Sequence, residues 1–142
     1  MPSQLDDPLN PTQAIDHLTE LLASNARVLL VGASGTGKST LARAACERLE
    51  PGSTTYICAD PGRPAFGPPG ALTRARFEDG GWRILQLEGI STMDCARFRA
   101  PLLGALARLS MRCERDTGCV IDAPGITRGL GAIELLAGML PV

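Results

Sequence analysis

Hydrophobic positions along the first half of the chain change from helical to strand spacing and back. After Asn10-Pro11, apolar residues recur every three or four positions, which predicts a capped amphipathic helix that closes near Ser24. The short apolar run Arg27–Val31 predicts a strand buried on both faces. Helical spacing returns over Lys38–Glu50, after a glycine-rich loop. This half is therefore predicted to form a helix, a strand and a second helix.

The middle of the chain contains a proline-rich loop between strand-like segments. Thr54–Ala59 is rich in β-branched and aromatic residues and predicts a strand. Asp60–Gly70 has four prolines and three glycines in eleven residues, which predicts a shaped loop. Arg74–Phe77 and Trp82–Leu87 flank a turn, so we expect a small hairpin that projects from the main sheet.

The last third of the chain returns to alternating helices and strands. Asp94–Met111 has helical spacing, in which Pro101 either kinks the helix or marks a restart. Cys119–Ile121 predicts a third buried strand, which ends at Asp122. A glycine-containing loop then leads into a helix that reaches Leu140. Strands that alternate with helices predict an α/β fold with a parallel sheet covered on both faces.

Length and charge narrow the class of protein. We expect the 142 residues to form one domain over residues 27–142, with an N-terminal packing helix in residues 1–26. A net charge of −1 argues against an indiscriminate polyanion binder, so any contact with nucleic acid must be local. No apolar run is long enough to span a bilayer, and residues 1–9 lack the pattern of a secretion signal. We therefore expect a cytoplasmic protein with no membrane segment.

Cysteine spacing gives little sign of metal binding. The five cysteines form no C-x-x-C pair, and their odd number leaves at least one unpaired in any intramolecular disulfide scheme. We interpret them as buried thiols, with a metal or redox role as the alternative, at Cys46, Cys58, Cys95, Cys113 and Cys119.

The glycine-rich loop carries the strongest chemical signal. Its sequence satisfies G-x-x-x-x-G-K-[ST], between a buried strand and a helix, as a phosphate-binding loop requires. Lys38 is the only lysine among fourteen basic residues, and its compact ammonium suits the β- and γ-phosphates of ATP. Ser39 is the expected Mg²⁺ ligand. The predicted ATP-binding residues are Gly32, Ala33, Ser34, Gly35, Thr36, Gly37, Lys38, Ser39 and Thr40.

Two aspartates end predicted strands and are expected at the same edge of the sheet as this loop. Asp60 is the candidate catalytic base, which would accept a proton from an incoming hydroxyl. Asp122 is the candidate magnesium ligand beside Ser39. The alternative for either aspartate is that it only caps a loop or a helix.

With these residues in place, the sequence resembles the polynucleotide 5′-hydroxyl kinase family, the P-loop kinases of the pre-mRNA cleavage machinery and of ribosomal-RNA processing. Asp60–Gly70 is similar to the family's D-x-G-Q-x-x-[FI]-x-x-P-G segment, whose aspartate is the proposed catalytic carboxylate. Gly89–Thr92 resembles its G-S-x-S-P stretch, and Asp122–Gly131 its N-T-x-G-W-v-k-G-x-G block. The resemblance covers about Val28 to Leu140 and implies a three-layer P-loop NTPase fold.

The resemblance also implies a reaction, which is transfer of the γ-phosphate of ATP, with magnesium, to the 5′-hydroxyl of single-stranded RNA or DNA. We expect Arg63, Phe66 and Arg128 to contact that acceptor. The family's arginine-bearing lid lies downstream of the last block, so we expect this chain to end before the lid. Two alternatives stay open: a non-catalytic ATP-binding module, and a nucleotide-hydrolysing switch suggested by the D-x-x-G spacing of Asp122 and Gly125.

Overall fold

A computed structural model describes residues 10–142, and these residues form four helices and five strands, with three strands in succession in the middle of the chain. The expectation for residues 1–9 lies outside the described residues. The helices are α1 (Pro11–Ala23), α2 (Lys38–Glu47), α3 (Arg99–Ser110) and α4 (Leu130–Met139). The strands are β1 (Arg27–Leu30), β2 (Thr54–Cys58), β3 (Ala71–Glu78), β4 (Gly81–Gly89) and β5 (Gly118–Asp122).

The strands form one five-stranded sheet in the order β1-β5-β2-β3-β4. β5 pairs in parallel with β1 on one side and with β2 on the other. Helices α1 and α2 cover one face of the sheet, where Leu22, Ala45 and Tyr56 belong to one apolar cluster. Helices α3 and α4 cover the other face, where Leu106 and Leu135 belong to a second cluster. The predicted α/β architecture with helices on both faces is confirmed.

The predicted hairpin is present, but it does not project from the sheet as a separate unit. β3 pairs antiparallel with β2, from Thr55 opposite Arg76 to Cys58 opposite Thr73, so the hairpin extends the sheet by two strands. Only its tip, beyond Arg76, passes the end of β2. The hairpin stays in the sheet because β3 is buried on both faces beside β2. Leu72 belongs to the apolar cluster on the α3 and α4 side, and Ala75 lies on the opposite face, in register with Tyr56.

The prediction that residues 27–31 are buried on both faces is wrong. β1 is an edge strand of the described sheet, with β5 as its partner on one side. Val28, Leu29 and Leu30 are half-buried, and Val31 is 49% exposed. An apolar run predicts a strand, but it does not say whether a neighbouring strand covers each side.

A capping box and a proline explain where α1 and α3 begin. Asn10 caps α1 by accepting a hydrogen bond from the N–H of Gln13 at 2.9 Å, and the Gln13 side chain returns one to Asn10 at 3.1 Å, which forms a capping box. α3 begins at Arg99, later than predicted, because Pro101 is tolerated only in the first helical turn. The proline therefore marks a restart.

None of these helices is long and apolar enough to cross a bilayer.

Candidate functional site

The loop between β1 and α2 has the backbone that a phosphate cradle requires. Gly35 and Gly37 have positive φ angles of 79° and 88°, which glycine adopts without steric cost. The Thr36 hydroxyl donates to the carbonyl of Ala33 at 2.8 Å and holds the loop closed on itself. Helix α2 begins at Lys38, so the positive end of its dipole points into the loop.

Lys38 lies over the loop. Its Nζ donates to the carbonyl of Gly32 at 2.8 Å and to that of Ala33 at 3.1 Å. An ammonium carries three donors, so these two contacts fix the side chain and leave one donor for a ligand. Gly32 and Ala33 therefore act in this structure as anchors for the lysine.

Asp122 lies at the centre of the site, at the end of β5. Its side chain is buried, at 2% exposure for the residue, and its Oδ2 accepts two hydrogen bonds. Ser39 Oγ donates to this oxygen at 2.5 Å, and Tyr56 Oη donates at 2.7 Å. The predicted pairing of Ser39 with Asp122 is thus present as a direct contact between α2 and β5.

Tyr56 is a member of the site that the sequence analysis missed. It lies on β2, and it is fully buried. Burial, together with the charge of Asp122 and the hydrogen bond to it, raises the pKa of Tyr56 far above its ordinary value, so the phenol keeps its proton and remains a donor. The available signal was the two-residue period of β2, which places Tyr56 on the same face as Cys58, the register partner of Asp122.

Asp60 follows β2 at the same edge of the sheet as Asp122. Its Oδ1 accepts hydrogen bonds from the backbone N–H groups of Gly62 at 3.0 Å and Arg63 at 3.1 Å. One carboxylate oxygen therefore caps the proline-rich loop, as the structural alternative in the sequence analysis supposed. The side chain is half-buried and lines the same cleft as Lys38, which leaves it available to a ligand.

Two contacts join neighbouring loops to the phosphate loop. Arg63 Nη1 donates to Ser34 Oγ at 3.0 Å, which brings the proline-rich loop against the cradle. Gly125 lies so close that a Cβ built there would be 2.7 Å from the backbone N and Cα of Ser34. The loop after β5 therefore passes the cradle at a distance that only glycine permits.

These groups surround one polar cleft of about 250 Å³. Of the predicted ATP-binding residues, the lining contains Ser34, Gly35, Gly37, Lys38, Ser39 and Thr40. Asp60, Arg63 and Asp122 line it as well. Thr36 faces a neighbouring cleft, and Phe66 and Arg128 do not line the central one, with Arg128 exposed before α4.

Two further clefts flank the central one and differ in chemistry. A cleft of about 530 Å³ lies between α1 and the start of α2, with Ala14, Ile15 and Leu41 in its largely apolar lining. On the other side a cleft of about 390 Å³ contains Arg43, Glu47 and Arg63. Thr40 lines all three clefts, so the three adjoin one another at the first turn of α2.

Phe66 belongs to an aromatic cluster beside the polar cleft. Its ring centroid is 4.6 Å from that of Trp82 and 5.1 Å from that of Tyr56, and the guanidinium of Arg43 lies 5.5 Å from it. Trp82 Nε1 donates to Glu47 at 2.8 Å. Protein groups therefore surround the Phe66 ring, which is the arrangement of a packing residue. A direct contact of Phe66 or Arg128 with an acceptor strand stays a prediction.

The donor set around Ser39 suits a hard divalent cation. A serine hydroxyl and a carboxylate meet at one point, and Mg²⁺ prefers such oxygen ligands with few protein groups. Within residues 10–142 no group of three or more His, Cys, Asp or Glu side chains could hold a metal. The residues present therefore fit a magnesium ion held jointly by protein and phosphate, and they do not form an all-protein metal cage.

The order of these parts identifies the architecture: a parallel strand, a glycine loop with its lysine, a helix, and a carboxylate on the adjacent strand. The chain has a P-loop NTPase fold. The AAA domain family, dynein-related subfamily, matches residues 27–63, which contain the phosphate loop and the strand that follows. A sequence search against curated proteins finds no match.

Solved structures with this fold cover nearly the whole chain. A chain in the complex of wild-type Clp1p with Pcf11p has a TM-score of 0.73 at 20% identity, over 95% of this chain and 40% of that one. A second Pcf11p and Clp1p structure, which concerns ATP loss in a glycine-to-arginine mutant, has a TM-score of 0.61 at 18% identity, over 94% and 42%. At these identities the likeness shows the fold alone, and the chain spans about two fifths of the length of these matches.

Proposed function

We propose that this chain binds ATP with magnesium and transfers the terminal phosphate to the 5′-hydroxyl of a single-stranded polynucleotide. The observation that carries the proposal is that Lys38, Ser39, Asp60 and Asp122 line one cleft. Lys38 and Ser39 are the residues with which a P-loop binds phosphate and magnesium. Asp60 supplies a carboxylate that can accept the proton of an attacking hydroxyl. The resemblance of the sequence motifs to polynucleotide 5′-hydroxyl kinases supports the choice of acceptor, and the fold shared with Clp1p is consistent with a P-loop enzyme.

The positive electrostatic potential of the phosphate loop favours binding of the ATP phosphates. The loop N–H groups, the N-terminal end of α2 and the remaining donor of Lys38 all favour negative charge at the same place. Ser39 and Asp122 would hold the magnesium ion. When bound, this ion neutralises charge on the β- and γ-phosphate oxygens. Arg63 adds a second fixed positive charge at the mouth, because its guanidinium is anchored on Ser34.

The two flanking clefts would bind the parts of the substrates that lie outside the central cleft, namely the base of ATP and the backbone of the acceptor. The apolar cleft at Ile15 and Leu41 suits a nucleoside base, which prefers apolar walls. The polar cleft at Arg43 and Arg63 suits the sugar-phosphate backbone of the acceptor, which needs positive charge. Because Asp60 lines the central cleft together with Arg63, the acceptor side is also the side of the carboxylate.

Asp60 then acts as the general base. The 5′-hydroxyl oxygen attacks the γ-phosphorus in line, its proton passes to the Asp60 carboxylate, and the bond from phosphorus to the β,γ-bridging oxygen breaks to release ADP. The backbone N–H groups of Gly62 and Arg63, in the proline-rich loop, donate to Oδ1 of Asp60 and hold the carboxylate in position. The other oxygen, Oδ2, is left to accept the proton. Desolvation of the cleft by both substrates strengthens each of these interactions.

Transfer of label from γ-labelled ATP to a 5′-hydroxyl oligonucleotide tests the proposal, with RNA and DNA tried separately. The wild-type protein should label the oligonucleotide, and Asp60→Asn should lower the rate by about 10²- to 10⁴-fold with little change in ATP affinity. Asp79→Asn is the matched control, because Asp79 is exposed in the hairpin turn at a φ of 50°, which asparagine tolerates.

The other outcomes distinguish the two alternatives. ATP binding without transfer to either nucleic acid would indicate a non-catalytic ATP-binding module. Release of phosphate without any acceptor, together with a preference for GTP, would indicate a hydrolytic switch built on the D-x-x-G spacing of Asp122 and Gly125. Either result would contradict the proposed kinase activity.

A further inference from the structure

Two of the five buried cysteines touch each other, away from the phosphate cradle. The Sγ atoms of Cys113 and Cys119 are 3.6 Å apart, and both residues are buried. Cys113 lies just after α3 and Cys119 is the second residue of β5, so the short loop of residues 114–117 separates Cys113 from that strand. Among the described residues, no other pair of cysteine sulfurs makes such a contact.

A row of side chains across the sheet brings positive charge to this pair. In the strand register, Cys119 lies opposite Arg27 of β1 on one side and Thr55 of β2 on the other, and Thr55 lies opposite Arg76 of β3. Residues in register share one face of the sheet, so both arginines face the same layer as Cys119. Arg74, two residues before Arg76, belongs to that face too.

Unpaired donors concentrate in the same place. In residues 10–142, four buried side-chain polar atoms have no hydrogen-bond partner, namely Thr55 Oγ1, Arg74 Nε, Arg76 Nε and Ser110 Oγ. Thr55, Arg74 and Arg76 lie on the face just described, and Arg27 donates to the carbonyl of Ser110 at 3.4 Å. A buried donor without an acceptor is costly, so a cluster of them favours an anion nearby.

Arg76 also has acidic partners, because its terminal nitrogens lie 3.9 Å from Glu78 and 3.5 Å from Glu114. The net effect of the charges around Cys113 is still to favour its thiolate. The hydrogen bond from Cys119, supported by Arg27, Arg74 and Arg76, lowers the pKa of Cys113 to about 7, whereas that bond and burial raise the pKa of Cys119. Cys113 is therefore the nucleophile of the pair and Cys119 the proton-bearing partner.

Cys113 lines a surface cleft of about 410 Å³ together with Arg27, Ser110 and Arg115, and this cleft is the route by which a small solute would approach it. Cys119 is fully buried behind it. Cys113 is thus both the cysteine nearer to solvent and the cysteine with the lower pKa, so the more accessible thiol is also the more nucleophilic one.

We propose that Cys113 and Cys119 form a peroxide-reactive dithiol that closes to a disulfide. The Cys113 thiolate attacks a hydroperoxide oxygen, the O–O bond breaks, and Cys113 becomes a sulfenic acid. The departing oxygen takes up a proton from solvent, which replaces the one that the thiol released, and leaves as water (or an alcohol). Cys119 then attacks the sulfur of that sulfenic acid, and its proton leaves with the hydroxyl as water. Two thiols are oxidised for each peroxide reduced. The disulfide fastens the end of α3 to β5, the strand that carries Asp122.

Peptide mapping after peroxide treatment tests this directly, because trypsin cuts between the two cysteines at Arg115. Hydrogen peroxide is added to the reduced, folded, full chain, and remaining thiols are then alkylated. We expect two of the five thiols to disappear and a linked pair of peptides, Cys113–Arg115 with Asp116–Arg128, to appear. Full alkylation of all five cysteines, links to other cysteines, or links formed only in urea would overturn the proposal.

Two variants establish the order of attack. In Cys119→Ala, peroxide should stop at the sulfenic acid of Cys113, which a 1,3-diketone traps. In Cys113→Ala, Cys119 should stay reduced, and oxidation of Cys119 there would refute the assignment. Arg76→Met, which keeps the chain length near that of arginine without its charge, should slow disulfide formation at neutral pH several-fold. Far-ultraviolet circular dichroism checks that each variant is folded, and Cys46→Ala is the control that should form the disulfide at the wild-type rate.

Discussion

The Tyr56 hydroxyl offers a direct test of how the centre of the site is held together. Tyr56→Phe removes one oxygen and leaves the ring, so the packing of that ring against Phe66 and Trp82 remains. The change deletes the 2.7 Å hydrogen bond to Asp122, a buried carboxylate. Ser39 is then the remaining side-chain donor to Oδ2.

The expected size of the effect follows from the charge of the acceptor. A hydrogen bond to a charged group contributes roughly 1.5–3 kcal/mol, about twice that of a neutral one. We therefore expect Tyr56→Phe to lower the free energy of unfolding by about 2 kcal/mol and the Tm by roughly 6 °C. Because Asp122 is the proposed magnesium ligand, the magnesium-dependent affinity for ATP should fall about tenfold, or about 1.4 kcal/mol.

Equilibrium unfolding in urea gives the measurement, on the wild type, Tyr56→Phe, Asp122→Ala, which removes the acceptor, and the double variant. The coupling free energy between the two positions should be about 1.5–3 kcal/mol. Thr55→Val is the matched control, because Thr55 is the neighbouring buried residue on β2 and its hydroxyl has no hydrogen-bond partner among the described residues. That variant should be neutral or stabilised. A Tyr56→Phe protein as stable as the wild type, or a coupling below about 0.5 kcal/mol, would refute the reasoning.

Three further predictions concern other parts of the site and the dithiol. Gly125→Ala should lower ATP affinity at least tenfold, because its Cβ would meet the Ser34 backbone at 2.7 Å, whereas Gly81→Ala, with open space around it, should bind ATP as the wild type does by calorimetry. Ile15→Asp should weaken binding of ATP but not of inorganic triphosphate, since the apolar cleft would take only the base; equal losses would contradict that assignment. The rate of Cys113 alkylation, followed by mass spectrometry, should rise as the pH passes about 7, because the pKa of Cys113 is lowered and the reactive thiolate forms above it. A rise only near pH 9 would argue against this.

The sequence was most informative where a single residue type must satisfy a local geometric requirement. Glycines at positive φ and a lone lysine at a helix start define the phosphate loop, so its place between β1 and α2 was predictable. The ends of β2 and β5 at one edge followed from parallel pairing, which placed Asp60 and Asp122 at the same cleft. Non-local neighbours were harder to predict. Tyr56 on β2 contacts Asp122 on the neighbouring strand β5, and only the register of β2 against β5 brings them together.

Edges of the sheet were the other source of error. An apolar run such as Arg27–Val31 indicates a strand, but the number of its neighbours depends on the whole strand order. The hairpin was predicted from its turn, yet its attachment to β2 depends on the burial of β3 on both faces, with Leu72 towards α3 and Ala75 towards the face of Tyr56, which no local pattern reveals. The contact between Cys113 and Cys119 similarly arises from the way α3 returns to β5.

Calorimetric titration of ATP, with magnesium and then with a chelator, tests the central claim that the loop around Lys38 holds a triphosphate. We predict saturable binding that requires magnesium and that weakens about 10- to 100-fold in Lys38→Met, which loses one charged hydrogen bond to phosphate. Arg83→Gln, which removes an exposed positive charge from the hairpin, should bind as the wild type does. No magnesium-dependent uptake of ATP by the wild type, or equal affinity in Lys38→Met, would contradict the account.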